Sequence, residues 1–206
     1  CGCQCSDTVG GARAREGGRL GGLATGDPMR YGRGVMLARA FGPGEMTILP
    51  APGALSLADA RRGWALHETD CLTLHGRPLA ALNLFVRPGA KLLILSENGE
   101  TPAQVARVLR ERGYGPSTMT VLENMGAEDE VIRSGTAADW DETSAADLNT
   151  LAIDCIAEKN ALSYSRHAGL PDDAFSNDGQ LTKRVVRAAT LSALVPQPGD
   201  LLWDIG

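Results

Sequence analysis

Short apolar runs alternate along this chain with segments whose apolar residues recur at helical spacing, and this alternation predicts an α/β fold. The predicted strands are "GGLAT" (21–25), "MTILPA" (46–51), "CLTLHG" (71–76), "KLLILS" (91–96), "TMTVLE" (118–123), "EVIRSG" (130–135) and "LNTLAI" (148–153). The clearest predicted helix is "TPAQVARVLRERG", in which Thr101 is the expected N-cap and Pro102 suits the first turn. Its Val105, Val108 and Leu109 share one face, which predicts a crossover helix that packs on a sheet.

Two breaks in this pattern divide the chain into three predicted parts. Around "ADARRGWALHE" a short helix gives way to a new series of strands, and over "AEKNALSYSRHAGLPDDAFSNDGQ" the periodicity is lost, as in a linker. After it, "LTKRVVRAATLSALVPQPGDLLWDIG" predicts a helix, a Pro-Gly turn and an apolar strand over 200–206. We therefore expect the parts 1–63, 64–158 and 159–206.

Composition and charge limit the partners that this chain can have. With 206 residues, of which 43% are apolar and 4% aromatic, the chain can bury a substantial core. Its net charge of −5 is spread without long runs of one sign, which argues against nucleic-acid binding. No apolar run approaches the ~20 residues that span a bilayer, so we predict a cytoplasmic protein without a membrane partner. Because the first residue is Cys1 rather than Met, we also expect that the true start is missing.

The five cysteines do not predict a disulfide framework or a metal site. Three of them lie in "CGCQC" at the start, which lacks the two-residue spacers and the second ligand cluster of a zinc site. Cys71 and Cys155 lie in apolar surroundings, where cysteine behaves as a small hydrophobic residue. We therefore assign no chemistry to the cysteines.

The glycine-rich segment "LATGDPMRYGRG" (23–34) is the first candidate for ligand binding. Gly26 permits a close approach of the backbone, Pro28 fixes one dihedral angle, and Asp27 can accept hydrogen bonds from backbone amides or from a ligand. The alternative is that Asp27 and Pro28 only initiate a turn. The segment disfavours a nicotinamide-dependent dehydrogenase, because Leu37 stands where the last glycine of G-x-G-x-x-G would fall.

Several segments together carry a resemblance to a known enzyme family. "GDPMRYGRG" followed by "LPAPGALSLADARRGW" resembles the signature of the tetrapyrrole methylases, the S-adenosylmethionine-dependent enzymes of cobalamin and sirohaem synthesis. "LTLHGRP", "LLILSENGETPAQVARVLRERGYG", "TVLENMGAEDEVIRSGTAADW" and "ADLNTLAI" resemble the branch that methylates positions 5 and 15 of a precorrin and releases carbon dioxide. The final segment, from Gly169 to Gly206, resembles the entry to the second, decarboxylating methyltransferase domain of that branch.

The resemblance implies both a fold and an activity. The fold would be a two-lobed tetrapyrrole methylase, with a truncated first lobe over 1–63 and a second lobe over 64–158. A linker and the start of a Rossmann-like methyltransferase domain would follow over 159–206. The implied activity is S-adenosylmethionine-dependent C-methylation of a precorrin in cobalamin (vitamin B12) biosynthesis by a homo-oligomer. Because the sulfonium methyl group is already activated, we expect no metal and assign no catalytic residue.

The resemblance also implies which residues bind the methyl donor. For the first site they are Gly26, Asp27, Pro28, Met29, Gly53, Ala54, Ser96, Asn124 and Asn149, and for the second they are Gln180, Thr182, Asp204 and Gly206. Ser96, Asn124 and Asn149 are expected at strand ends, where open α/β sheets bind ligands, although each could instead cap a helix or a turn.

Further polar residues remain open candidates for the substrate. His67 and His75 could bind or deprotonate it, because histidine titrates near neutral pH, or they could be structural. Arg30, Arg33 and Arg77 could clamp the carboxylates of a precorrin, or they could only keep the surface soluble.

Two rival functions come from other classes. The chain could be a catalytically incomplete binding or assembly fragment, or a Rossmann-type oxidoreductase. Binding of S-adenosylhomocysteine would favour the methylase, whereas binding of a nicotinamide cofactor would favour the oxidoreductase. Since the glycine turn and acidic residue expected after the strand 200–206 lie beyond Gly206, we expect these 206 residues not to perform the decarboxylating methylation.

Overall fold

The chain divides by its internal contacts into two compact units, Cys1–Gly53 and Ala54–Gly206. The computed structural model describes residues 26–140, 144–165, 167–197 and 199–203. In the first unit, helix α1 (Gly34–Phe41) is followed by a 3-10 turn at Pro43–Glu45. The domain boundaries expected near residues 63 and 158 stay predictions.

The second unit contains the sheet. Its strands and helices are α2 (Ala54–Arg62), β1 (Asp70–Thr73), β2 (Lys91–Leu95), α3 (Thr101–Glu111), β3 (Thr118–Glu123), β4 (Val131–Thr136), β5 (Asn149–Asp154) and α4 (Arg184–Leu194). Short 3-10 helices lie at Leu66–Glu68, Leu79–Leu84 and Asp172–Ala174. The α/β class predicted from the alternating pattern is therefore confirmed.

The sheet is mixed, with the strand order β1-β2-β5-β3-β4. β1 and β2 are parallel, whereas β5 runs antiparallel to both of its neighbours, β2 and β3. Consequently β1, β2 and β3 all finish at the same end of the sheet, where β4 and β5 begin. We call this the site end.

Among the described α-helices, α3 packs on one face of the sheet and α2 on the other. Alternate residues of β2 point to opposite faces, so that Leu92 and Ile94 join the cluster that contains α3, while Leu93 joins Leu55 of α2. These side chains are fully or almost fully buried, and each contributes about 1.5–3 kcal/mol of hydrophobic stabilisation. The two-sided burial fixes the register of the strands.

Helix α3 confirms the predicted crossover, but its start differs in detail. Val105 and Leu109 are fully buried, as the apolar face predicted. Thr101 is the first helical residue rather than the N-cap, which is Glu100. The prediction was wrong because the Thr101 hydroxyl oxygen accepts hydrogen bonds from the Glu97 and Asn98 backbone N–H groups, which precede the helix.

Two predicted strands are wrong in the residues that the structure describes. The segment 46–51 has no strand, and Leu49 within it is 80% exposed. The segment 200–203, the described part of "DLLWDIG", also has no strand, and Trp203 is 74% exposed. Both have the composition of strands without a pairing partner among the described residues, and an apolar run needs one to form a strand. The prediction at 21–25 lies outside the described residues.

Candidate functional site

The loop Gly26–Met29 forms a tight turn in the first unit. Gly26 has φ +69°, a conformation that glycine adopts without strain. One carboxylate oxygen of Asp27, Oδ1, accepts hydrogen bonds from the backbone N–H groups of Met29 at 2.8 Å and Arg30 at 3.2 Å. The carboxylate therefore holds the turn that the sequence predicts.

Three further glycines let the backbone approach this turn. A Cβ atom on Gly32 would overlap the carbonyl oxygen of Asp27, and one on Gly34 would lie 2.6 Å from the carbonyl oxygen of Pro28. A Cβ atom on Gly53 would lie 3.2 Å from the Asp27 Cβ atom, which brings Gly53 beside the turn. Two segments that the resemblance implied in donor binding, the turn at 26–29 and Gly53, therefore meet within the first unit.

The site end of the sheet gathers three predicted residues of the second unit. Ser96 follows β2, Asn124 follows β3, and Asn149 begins β5 between them. The Ser96 N–H donates to the Asn149 carbonyl oxygen at 3.4 Å, and the Asn124 N–H donates to the Leu148 carbonyl oxygen at 3.0 Å. Asn124 has φ +48° and donates through Nδ2 to Asp129 at 2.7 Å. These residues lie at strand ends, as expected.

Two buried polar atoms at the site end have no hydrogen-bond partner among the described residues. They are Oγ of Ser96, which is 9% exposed, and Oδ1 of Asn149, which is 6% exposed. The amide group of Asn149 is oriented, because Nδ2 donates to the carbonyl oxygens of Asn98 at 3.2 Å and Ala146 at 2.7 Å. The site end therefore offers a fixed acceptor, Oδ1, and a hydroxyl that can donate or accept.

The loop before β5 is held in place by groups that sequence reasoning missed. The Gly99 N–H donates to Asp147 Oδ1 at 3.0 Å, and the Ala145 N–H donates to the Gly99 carbonyl oxygen at 2.9 Å. A Cβ atom on Gly99 would overlap the Ala145 carbonyl oxygen. In addition, the Ala146 N–H donates to Glu123 Oε2 at 2.7 Å. These bonds join segments far apart in sequence, so no local pattern signalled them.

An ion pair fixes the loop between β3 and β4. Arg61, near the end of α2, donates through Nε to Glu130 Oε1 and through Nη2 to Glu130 Oε2, the latter at 2.5 Å. The Gly126 N–H also donates to Glu130 Oε2, at 2.7 Å. The hydrogen bond from Arg61 and that from Gly126 lower the pKa of the Glu130 carboxyl from its ordinary value near 4.5 to about 2. The loop that carries Asn124 is therefore tied to α2.

This ion pair predicts a pH dependence. Because the pKa of Glu130 is lower in the folded chain, its stabilising contribution is complete above about pH 4.5 and is lost as the pH falls towards 2. We expect E130Q to lower the melting temperature at pH 7 and to reduce the loss of stability between pH 4.5 and 2. Thermal melts across that range measure this. E128Q, in the same exposed loop, is the control and should keep the wild-type profile.

The structure places the remaining predicted residues as follows. Ala54 is half-buried at the start of α2. Gln180 and Thr182 are both exposed in the segment before α4, where the Gln180 N–H donates to Asp178 Oδ1 at 3.0 Å and the Thr182 carbonyl oxygen accepts from Arg187. Asp204 and Gly206 lie outside the described residues, so the second donor site stays a prediction.

The structure describes two of the five cysteines, Cys71 and Cys155. Cys155 is buried, and burial raises the pKa of its thiol to about 12. Cys71 is half-buried and lies beside the α2 face of the sheet. At neutral pH the Cys155 thiol is protonated and therefore a poor nucleophile.

Profiles of two protein families match this chain. The profile of the tetrapyrrole (corrin/porphyrin) methylases matches residues 4–141, and that of a precorrin methyltransferase domain matches residues 173–206. The two matches follow each other along the chain, and the residues between them, 142–172, include β5 and the first part of the predicted linker.

Two named methyltransferases are similar to this chain in sequence. The chain is 44% identical to precorrin-6Y C(5,15)-methyltransferase (decarboxylating) of Sinorhizobium sp. The alignment extends over 193 residues and covers 94% of this chain and 47% of the relative. It is 31% identical over 110 residues to cobalt-precorrin-7 C(5)-methyltransferase of Salmonella typhimurium, which covers 53% of this chain and 54% of the relative. The chain thus spans about half the length of the curated relatives it matches.

The fold has a counterpart among solved structures. The X-ray structure of cobalt precorrin-4 methyltransferase, a cobalamin biosynthetic enzyme, aligns with a TM-score of 0.57 at 18% identity, over 74% of this chain and 72% of that one. At this identity the likeness concerns the fold alone. Among the described residues, no helix has the length and apolar character needed to cross a membrane.

Proposed function

This chain belongs to the tetrapyrrole (corrin/porphyrin) methylases, and on that basis we propose that it takes part in the decarboxylating C5,15-methylation of precorrin-6Y in cobalamin biosynthesis. The observation that carries the proposal is the order of the two matched regions, a tetrapyrrole methylase followed by a precorrin methyltransferase domain. The 44% identity to a relative of that name, over 94% of the chain, supports the same activity.

The proposed methyl donor is S-adenosylmethionine, and the residues present fit it. In the first unit, the glycines around Asp27 let neighbouring backbone pack against the turn, and Gly26 and Met29 of the turn itself are exposed. In the second unit, Asn149 Oδ1 is a buried acceptor without a partner among the described residues, and Ser96 Oγ is a buried hydroxyl in the same condition. A nucleoside carries hydroxyl and amino groups that can satisfy both atoms. We propose that Gly26–Met29 and Gly53 are the donor-binding residues of the first unit, and that Ala54, Ser96, Asn124 and Asn149 are those of the second.

For this methyl transfer the protein has to position the donor and the acceptor carbon, and it does not have to supply a strong nucleophile of its own. When bound, the donor supplies an activated methyl group on a sulfonium. The two ends of the Asn149 amide have separate tasks, because Nδ2 fixes the loop before β5 and Oδ1 remains for the ligand. Rigid polar groups of this kind hold the reacting atoms in line and exclude water, which is where the rate enhancement of such a transfer arises.

We assign methylation at position 5 to the tetrapyrrole methylase region. The similarity to cobalt-precorrin-7 C(5)-methyltransferase supports this division, because that relative is named for one position only. Methylation at position 15 with loss of carbon dioxide is then assigned to the region that begins near residue 173. A homo-oligomeric state and the carboxylate clamps at Arg30, Arg33 and Arg77 stay predictions.

The proposal is tested by calorimetry with S-adenosylhomocysteine. The wild-type chain should bind it, and D27A should bind about tenfold more weakly, because the N–H groups of Met29 and Arg30 lose the acceptor that holds the turn. D27N keeps an oxygen at the same place and should retain most of the affinity. A folded wild-type chain that binds no S-adenosylhomocysteine contradicts the proposal. Binding of a nicotinamide cofactor instead would favour the oxidoreductase.

A further inference from the structure

The two histidines that the sequence offers as candidates lie at opposite ends of the sheet. His67 belongs to the 3-10 helix that precedes β1, and His75 follows β1. β1 and β2 are parallel, with Thr73 beside Leu95, so that His75 lies at the site end together with Ser96. His67 lies at the other end. The fold therefore separates two residues that the sequence leaves equivalent.

His75 is held beside a carboxylate. Its Nδ1 atom is 3.5 Å from Oε2 of Glu97, and the same oxygen accepts a hydrogen bond from the Gly76 N–H. The backbone N–H of His75 donates to Thr73 Oγ1 at 3.1 Å, and the backbone N–H of Glu97 donates to Thr101 Oγ1 at 3.1 Å. Backbone contacts thus fix both partners, while the His75 side chain remains 76% exposed and accessible to a large substrate.

Methylation of a macrocycle carbon by a sulfonium releases one proton. The carbon supplies the electron pair of the new C–CH3 bond, and the electron pair of the broken S–CH3 bond stays on sulfur, which gives neutral S-adenosylhomocysteine. The positive charge passes to the macrocycle, which becomes neutral by losing a proton from carbon or nitrogen. A base beside the macrocycle that accepts this proton assists the transfer, and an imidazole can act as such a base.

We infer that His75, oriented by Glu97, is the general base that accepts this proton. The inference rests on the function proposed above and adds a base to it. Glu97 places a carboxylate oxygen 3.5 Å from Nδ1 of the ring, beside the imidazolium that forms, as a carboxylate beside a catalytic histidine does in other enzymes. The exposed imidazolium then passes the proton to water, which returns the residue to its starting state.

The test compares H75Q with H67Q in the full chain. Methyl transfer is followed with S-adenosylmethionine labelled at the methyl group and precorrin-6Y as acceptor, and donor affinity is measured separately by calorimetry. We expect H75Q to lower kcat about 100-fold, with KM, donor affinity and melting temperature unchanged. E97Q should lower kcat less than H75Q does. H67Q is the matched control, because His67 is also exposed and also lies near a glutamate, Glu68 at 3.9 Å, and it should keep full activity.

The outcomes separate this inference from the proposed function. If H75Q keeps kcat within about twofold of the wild type, or loses activity only in proportion to weaker donor binding, His75 is not the base. If H67Q loses as much activity as H75Q, the position at the site end is irrelevant and the inference fails. If the wild-type chain binds the donor but transfers no methyl group to the macrocycle, the proposed function itself is overturned, and the base with it.

Discussion

Replacing Asn149 with aspartate should destabilise the second unit by about 3 kcal/mol and weaken S-adenosylhomocysteine binding about tenfold. The Asn149 side chain is almost fully buried, and its Nδ2 donates to the Asn98 and Ala146 carbonyl oxygens. A carboxylate there would face two carbonyl oxygens with no hydrogen to share, and its negative charge would be buried without a cation. Both loops that meet at Asn149 would have to move, and the oxygen offered to the ligand would move with them.

Denaturant unfolding and calorimetry measure the two effects separately. N149A removes the same donors without adding a charge, so it should cost less stability than N149D. N98D is the matched control, because Asn98 Oδ1 only accepts a hydrogen bond from the Glu100 N–H, at 2.9 Å, and aspartate can do the same. We expect N98D to keep wild-type stability. Equal stability of N149D and N98D would contradict the role of Asn149 as an oriented donor.

The core of the sheet could be predicted from the sequence because its strands are short, apolar and bounded by turns. The strand at Thr118–Glu123 agrees with "TMTVLE" residue for residue, and that at Lys91–Leu95 differs from the prediction by one residue. The order of the strands could not be predicted in this way. β5 lies between β2 and β3 although it follows both in the chain, and only the pairing partners decide that position.

The residues of the candidate site that lie at strand ends could be predicted from the sequence. The contacts between residues far apart in sequence could not. Ser96, Asn124 and Asn149 each adjoin an apolar run, so their place at the site end followed from the pattern and the resemblance. The ion pair that ties the loop of Asn124 to α2 did not, since Arg61 and Glu130 are separated by 69 residues in the chain. The same applies to the contact between Gly99 and Ala145, because a glycine in a loop does not reveal which backbone approaches it.

The linker is the clearest case in which a sequence pattern conceals a tertiary contact. Among the described residues between β5 and α4, where the sequence loses its periodicity, only a short 3-10 helix is present. However, Arg112, at the end of α3, is 6% exposed and donates through Nη2 to the carbonyl oxygen of Leu162 at 2.9 Å. The Leu162 N–H donates back to the Arg112 carbonyl oxygen at 2.8 Å. The first part of the predicted linker is therefore fixed to α3.

Arg112 joins more than two segments. Its Nη1 donates to Asn83 at both the backbone carbonyl (3.3 Å) and the side-chain oxygen (3.1 Å), and Nη2 also donates to the Val86 carbonyl oxygen at 3.2 Å. The guanidinium carbon lies 4.8 Å from the centroid of the Tyr164 ring, within reach of a cation–π interaction. Burial lowers the pKa of Arg112 from its ordinary value, and carbonyl dipoles provide the compensating interactions.

We therefore expect R112M to lower the free energy of unfolding by about 3 kcal/mol, the largest loss together with that of N149D. Methionine fills much of the same volume but leaves the carbonyl groups of Asn83, Val86 and Leu162 without their donor. R112K should recover only part of the loss, because one ammonium cannot reproduce the planar fork of a guanidinium.

Denaturant unfolding gives the free energies, and limited proteolysis shows whether cleavage appears between residues 156 and 165. R110M is the matched control near the end of α3, since Arg110 donates to one carbonyl oxygen among the described residues, that of Ala137 at 2.9 Å, and its replacement should cost less stability. If R112M is no less stable than R110M and the linker stays resistant to protease, Arg112 does not fix the linker, and the segment must be held by the close approach of Ala161 to Gly113 instead.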